Sequence, residues 1–249
     1  MIIAVFGGLG TVCKEFLLQA LAHEHTLHWF LQETDSFPDL PALPILKIIC
    51  GSPNNILHYQ EAIQGTDAVL VAFDPHHTEP THWVYEQKMV QQAMRRENVR
   101  RLIVVTCHGS GDSRRQMDWT TWMHMNLNQI KYLTGALDRC WSILAQYTAQ
   151  EHVVMRGEIP ADVLGGSAHG QEEQEGREAQ EEQGTLEWTI LRPGLFVEGI
   201  ATGTYLASSE DVFGGYVSPA DVANCALKAL EDDMDKGKCF SVAYSSRVA

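Results

Sequence analysis

A doubly wound parallel α/β sheet is predicted for this chain of 249 residues by three observations. The β-branched run Ile2-Ile3-Ala4-Val5-Phe6 feeds straight into Gly7-Gly8-Leu9-Gly10, which reads as a buried strand ending in a tight turn. From Val12 the apolar positions switch to helical spacing, with Val12, Phe16, Leu17, Ala20 and Leu21 on one face. Further along, strand-like runs alternate with helical ones. Residues 68–73 are continuously apolar, as in a parallel strand covered on both faces.

The strand, glycine turn and helix at the start form a unit suited to phosphate. Glycines let the backbone turn sharply and approach a pyrophosphate, and the unpaired N–H groups at the helix start attract its charge. Gly7 and Gly10 fall three apart, matching a Gly-x-x-Gly-x-x-Gly pattern whose third glycine is replaced by Cys13. A glycine turn without a ligand is the alternative reading.

Residues 26–31 are the second strand, and Gln32-Glu33-Thr34-Asp35 follow it, where this fold meets an adenosine ribose. Acidic residues there, with no Lys or Arg between His28 and Leu46, favour free ribose hydroxyls over a 2′-phosphate; solvated loop carboxylates are the alternative. Residues 44–50 are a third strand closed by Gly51-Ser52-Pro53. A helix over 54–64 carries Ile56, Tyr59, Ala62 and Ile63 at helical spacing, and Gly65-Thr66-Asp67 turns the chain into the fourth strand. The loop 74–82 is rich in histidine and broken by proline. It lacks the i, i+4 histidine pair of a zinc helix and reads as a solvated loop on the ligand-binding edge of the sheet.

A helix over 83–97 leads to the fifth strand and its exit at 99–109. Residues 110–125, with Trp119 and Trp122, suit a substrate-side flap. A helix over 126–150 shows the stripe Ile130, Leu133, Leu137, Trp141, Leu144 and Ala145, read as core packing. Residues 157–184 form a polar, acidic insertion, and the strand 187–192 follows it, ended by Pro193-Gly194. Ser218-Pro219-Ala220-Asp221 has capping-box spacing with proline at the first helical position. It opens a helix over 222–230, and residues 239–244 close the sheet.

The formal net charge of −14 argues against a nucleic-acid footprint. Six cysteines without a C-x-x-C pair indicate reduced, cytoplasmic usage. Met1 leads directly into the first strand, and no apolar run approaches ~18 residues, so the expectation is a cytoplasmic protein that neither spans a membrane nor carries a leader.

Taken in order, Gly7-Gly8-Leu9-Gly10, Gly65-Thr66-Asp67-Ala68-Val69, Val99-Arg100-Arg101-Leu102-Ile103-Val104-Val105, Trp188-Thr189-Ile190-Leu191-Arg192-Pro193-Gly194-Leu195-Phe196 and Ser218-Pro219-Ala220-Asp221-Val222-Ala223 resemble the atypical short-chain dehydrogenase/reductase proteins, and within them the NmrA-like NAD(P)-binding group. The resemblance implies one Rossmann-like domain over 1–249 with a small C-terminal substrate-side lobe and a variable insertion at 157–184. It implies NAD or NADP as cofactor, with NAD favoured by the charge after the second strand. Gly7, Leu9, Gly10, Thr11 and Val12 would hold the pyrophosphate, Gln32 and Glu33 would face the ribose, and Ser52 and Pro53 the adenine. The nicotinamide would lie between Ala72, Phe73, Thr106 and Pro193, Gly194, Leu195 and Phe196. Gln32 stands where NADP-binding relatives often place an arginine.

Reductases of the wider family use a serine after the fifth strand, then a tyrosine with a lysine four residues later, which lowers the phenol pKa. This chain has Thr106 and Cys107 at the serine position. Tyr132 is followed four later by Ala136, Tyr147 by Glu151 and Tyr85 by Met89, so no tyrosine has the lysine. The candidate catalytic groups are Cys107, His108 and Tyr132. Two functions follow: an oxidoreductase transferring hydride to or from a small organic substrate with a non-standard acid, or a non-catalytic dinucleotide-sensing regulator or assembly factor with a protein partner.

Overall fold

The computed structural model describes residues 1–32, 45–116, 136–156, 185–210 and 215–245. Glu33, Tyr132, most of the 110–125 flap and the 157–184 insertion lie outside them. Within them an eight-stranded sheet runs in the order β3-β2-β1-β4-β5-β6-β10-β8. Its strands are β1 Ile2–Phe6, β2 Thr26–Gln32, β3 Leu46–Gly51, β4 Ala68–Val71, β5 Arg101–Val105, β6 Glu187–Pro193, β8 Leu206–Ser208 and β10 Lys238–Ala243. All pair in parallel except β8, which runs antiparallel to β10 at the edge. The order reverses between β1 and β4, so the glycine turn after β1 sits at the crevice where such sheets bind ligands.

Side chains of β1 alternate between two cores. Ile3 and Val5 pack with α1 (Thr11–Ala22) and α5 (Pro219–Glu231). Ala4 and Phe6 pack with α2 (Ile56–Ile63), α3 (Trp83–Arg96) and α4 (Ala136–Arg156). Helices therefore cover both faces, as the continuous apolar runs require. Phe6, Phe30 and Tyr59 form a ring cluster with centroids 4.9–5.6 Å apart under the second face.

Strand β4 ends two residues before its apolar run does, and β5 ends with its run at Val105. Ala72 N–H still reaches Phe6 O at 2.9 Å and Thr106 N–H reaches Leu191 O at 2.9 Å, and the chain then leaves the sheet. The stripe on α4 also differs from its sequence reading. Ala145 is exposed, and the buried line runs through Leu144, Tyr147, Gln150, Glu151 and Val154. Three of its members carry polar groups, so a search for apolar spacing alone passes over them. Ile130 and Leu133 lie outside the described residues.

The C-terminal lobe is built on β7 (Leu195–Phe196), paired in parallel with β9 (Tyr216–Val217). A side chain at Gly194 would place its Cβ 2.2 Å from Gly215 O, so this crossing requires glycine. Ser218 caps α5, its Oγ accepting from Asp221 N–H at 3.0 Å. Asp221 in turn accepts from Thr202 N, Gly203 N, Thr202 Oγ1 and Tyr244 OH at 2.7–2.9 Å. Burial pushes this carboxyl up, but those hydrogen bonds, led by Tyr244, hold it below the usual carboxylate range.

Ser218→Ala should cost about 1 kcal/mol in urea denaturation at neutral pH, the ordinary cost of a lost cap. A lowered folded-state pKa gives stability that is present above the unfolded value, ~3.9, and is lost as pH falls through the folded one. Asp221→Asn should therefore flatten the acid limb of the stability profile.

Candidate cofactor and substrate cleft

The turn after β1 is held close to β4 on backbone contacts. Gly7 has φ 133°, and a Cβ there would lie 2.1 Å from Ala72 O. Trp29, buried on β2, donates from Nε1 to Gly8 O at 3.2 Å and braces the turn. Gly10 is the N-cap residue of α1. Cys13 fits fully buried beneath, its Sγ 3.5 Å from the carbonyls of Phe6 and Ala72. Burial, helped by the charge of Asp74, pushes its thiol up to about 12, so it is a packing group.

Beside this turn, at the carboxyl edge of the sheet, opens a cavity of about 600 Å³. Its walls come from Thr11 and Val12 of α1, Ala72 to His77 after β4, Val105 to His108 after β5, Ile143, Leu144 and Tyr147 of α4, and Pro193 to Glu198 with Pro219. Eleven residues named from the sequence line this one space: Thr11, Val12, Ala72, Phe73, Thr106, Cys107, His108, Pro193, Gly194, Leu195 and Phe196. Gly7, Leu9 and Gly10 form the turn at its rim. Gln32, Ser52 and Pro53 stand at the ends of β2 and β3, outside the cavity. Gln32 donates from Nε2 to Oε1 of buried Glu86 at 3.2 Å, and Ser52 N–H donates to His58 Nδ1 at 2.9 Å.

The polar groups of the cleft are paired in ways the sequence did not disclose. Thr106, at the serine position, donates to Glu151 Oε1 at 2.8 Å. Ser110 donates to the same oxygen at 2.5 Å, and Arg192 grips the carboxylate with Nε and Nη2 at 3.0 and 2.8 Å. Arg192 Nη1 also meets Asp112 at 2.5 Å. Burial disfavours the guanidinium charge, but its bonds to Glu151 outweigh that and raise its pKa. Tyr147 donates its hydroxyl to Phe73 O at 2.9 Å, and burial, then the charges of Cys107 and Asp74, raise its pKa well above the phenol range. Tyr147 and Glu151 thus keep the i, i+4 spacing of the family's tyrosine and lysine with opposite effect: no cation lowers the phenol pKa.

Asp74, on the loop leaving β4, is the other residue the sequence reading passed over. Its Oδ2 accepts from Thr11 N–H at 3.2 Å and Thr11 Oγ1 at 3.3 Å, and its Oδ1 from His76 N–H at 2.9 Å. A carboxylate is thus seated at the positive end of α1. His76 and His77 of the same loop line the cavity, so this loop is part of the cleft wall.

The sequence pattern of the NAD(P)H-binding family matches residues 7–233. The chain belongs to that family. Among solved structures it shares its fold with an oxidoreductase from Lactococcus lactis (TM-score 0.67, 15% identity, 98% of this chain and 91% of the other). An anaerobilin reductase from Escherichia coli O157:H7 matches over 100% of both chains (TM-score 0.67, 15% identity). A short-chain dehydrogenase/reductase from Veillonella parvula, solved in complex with NADP, matches over 98% and 95% (TM-score 0.64, 16% identity). No curated protein matches the chain by sequence.

The glycine turn suits a dinucleotide in shape, with glycines at the close approaches and the start of α1 aimed at the crevice. Its charge is different, because a pyrophosphate at Thr11 meets Asp74. Asp74→Asn keeps an oxygen to cap Thr11 and removes the charge. It should tighten NADH binding about tenfold, roughly 1.4 kcal/mol, in a fluorescence titration. An unchanged dissociation constant would show that the pyrophosphate does not share this end of α1 with Asp74.

Proposed function

We propose that this NAD(P)H-binding protein is an oxidoreductase of the NmrA-like type, which moves hydride between a nicotinamide cofactor and a small, largely apolar organic substrate. The observation that carries the reading is the cavity itself: it opens beside the glycine turn and ends at residues after β5 and β6. The oxidoreductase and reductase named among its fold neighbours support the reaction class. A bound nicotinamide would supply hydride for the substrate carbon, and in reduction the chain would supply the balancing proton. His108 is the proposed donor, since it places an imidazole, a common general acid, at the cavity wall. Cys107 borders the same space, and Tyr132 stays a candidate on sequence grounds only.

A second reading, a non-catalytic dinucleotide sensor acting through a protein partner, draws on the hydroxyls of Thr106 and Tyr147, which are donated to Glu151 and Phe73 O, and on Asp74 at the anion seat. Oxidation of NADH or NADPH in the presence of carbonyl and alkene substrates separates the two. Turnover with any of them supports the enzyme; binding of both dinucleotides without turnover across the panel supports the sensor. If the enzyme reading holds, His108→Ala should lower kcat by about 10²-fold or more, the usual contribution of a positioned acid, with little change in cofactor affinity.

The reading is a single-domain, cytoplasmic protein working on small molecules. Among the described residues no helix is long and apolar enough to cross a membrane. NAD is the proposed cofactor of the two. Gln32 donates to the carboxylate of Glu86, and a 2′-phosphate there would add like charge. Gln32→Arg should shift preference toward NADP by about 1 to 3 kcal/mol, measured as the ratio of the two dissociation constants. Wild-type protein binding NADP tenfold tighter than NAD would overturn the assignment.

A further inference from the structure

At the amino edge of the sheet, opposite the cleft, the turn from α1 into β2 carries His23-Glu24-His25. The helix closes with His25 N–H on Ala20 O and Glu24 N–H on Leu21 O, both 3.0 Å, and Glu24 sits in the left-handed region at φ 61°. This turn brings both flanking histidines to the last residue of α5, Glu231. His23 Nδ1 and His25 Nε2 each lie 2.9 Å from the same oxygen, Oε1. The three ligand atoms fall within 4.8 Å of one another, the only such cluster of three among the described residues. The second nitrogen of His25, Nδ1, lies 3.2 Å from the Met1 nitrogen.

We propose that His23, His25 and Glu231 form a site for a divalent transition-metal ion of the zinc type, with solvent completing the coordination. Two imidazoles and one carboxylate are a donor set that zinc takes readily, whereas calcium and magnesium prefer oxygen throughout. Zinc at about 2.0–2.2 Å from each ligand would hold the donor atoms about 3.3 Å apart. The two histidine–carboxylate separations of 2.9 Å reach that by opening a few tenths of an ångström, and the two histidine nitrogens start within 4.8 Å of one another. Solvent reaches the spot through His23, whose side chain is half exposed, while His25 is 11% exposed and fixed in place. Since it lies away from the cavity, the metal would fasten the end of α5 to the α1–β2 turn and take no part in hydride transfer.

Titration calorimetry of the purified full chain with Zn²⁺ tests the site, and Co²⁺ reports its geometry by the visible absorption of a four-coordinate ion. One equivalent should bind at micromolar or tighter concentration and raise Tm. The surface variant His23→Ala and the near-isosteric Glu231→Gln, both checked by circular dichroism, should weaken binding at least tenfold. The pair His76→Ala/His77→Ala, in the cleft loop, should leave it unchanged. Absence of stoichiometric binding to wild-type protein would overturn the proposal. So would zinc binding that survives in the first two variants or is lost in the loop pair.

Discussion

Glu151 is a fully buried carboxylate on α4 whose oxygens receive Thr106, Ser110 and the fork of Arg192. Taking two charges out of water costs several kcal/mol per ion, which only close, well-aligned partners offset. The arrangement meets that demand by drawing on three separate elements. Arg192 comes from β6, Thr106 and Ser110 from the exit of β5, and Asp112 closes the outer side of the guanidinium. The loop after β5 has to accommodate the pair: Gly111 has φ 54°, and a Cβ there would sit 2.3 Å from Glu151 Oε2. Three walls of the cavity are thus positioned by one ion pair, and the hydroxyl at the family's serine position is fixed by it too.

The fourth wall, at the glycine turn, is set by a carboxylate used differently. Asp74 is on the edge of the cleft, where it satisfies an N–H at the start of α1 and orders the loop through His76 N–H. A helix start attracts an anion from the solvent or from the chain, and here the chain supplies one. A dinucleotide seated there would therefore have its affinity coupled to the stability of the loop through one side chain. Glu151 is locked inside by an arginine, whereas Asp74 is held by neutral donors only, and it is the more easily displaced of the two.

The sheet was legible in the sequence because its signals are local. A β-branched run, a glycine turn and a change of apolar spacing at Val12 suffice for β1 and α1, and Ser218 to Asp221 announce the start of α5 through cap chemistry. Strand ends were less legible, because Ala72 and Thr106 remain hydrogen-bonded beyond the strands they follow. The arrangement of the cleft was not legible, because its determinants are pairs far apart in sequence: Glu151 with Arg192, Asp74 with Thr11, Tyr147 with Phe73. Part of that signal was present. Tyr147 and Glu151 stand four apart on α4, and Arg192 lies in the Trp-Thr-Ile-Leu-Arg-Pro-Gly segment, but a search for a lysine discards the carboxylate that occupies the position instead.

These pairings limit how the cleft can move a proton. A phenol held above its usual range by burial and already donating to a backbone carbonyl gives up its proton poorly. The Thr106 hydroxyl faces an ionised network that needs its hydrogen bond, and the Thr11 hydroxyl serves Asp74. The same cavity wall also carries imidazoles, from His108 after β5 and from His76 and His77 on the loop. Imidazole is the side chain most often used as a general acid or base, and it needs no neighbouring lysine for that role. The absence of a tyrosine-lysine pair and the presence of histidines at the cavity wall are therefore features of one site, whose hydroxyls are committed to Asp74, Glu151 and Phe73 O.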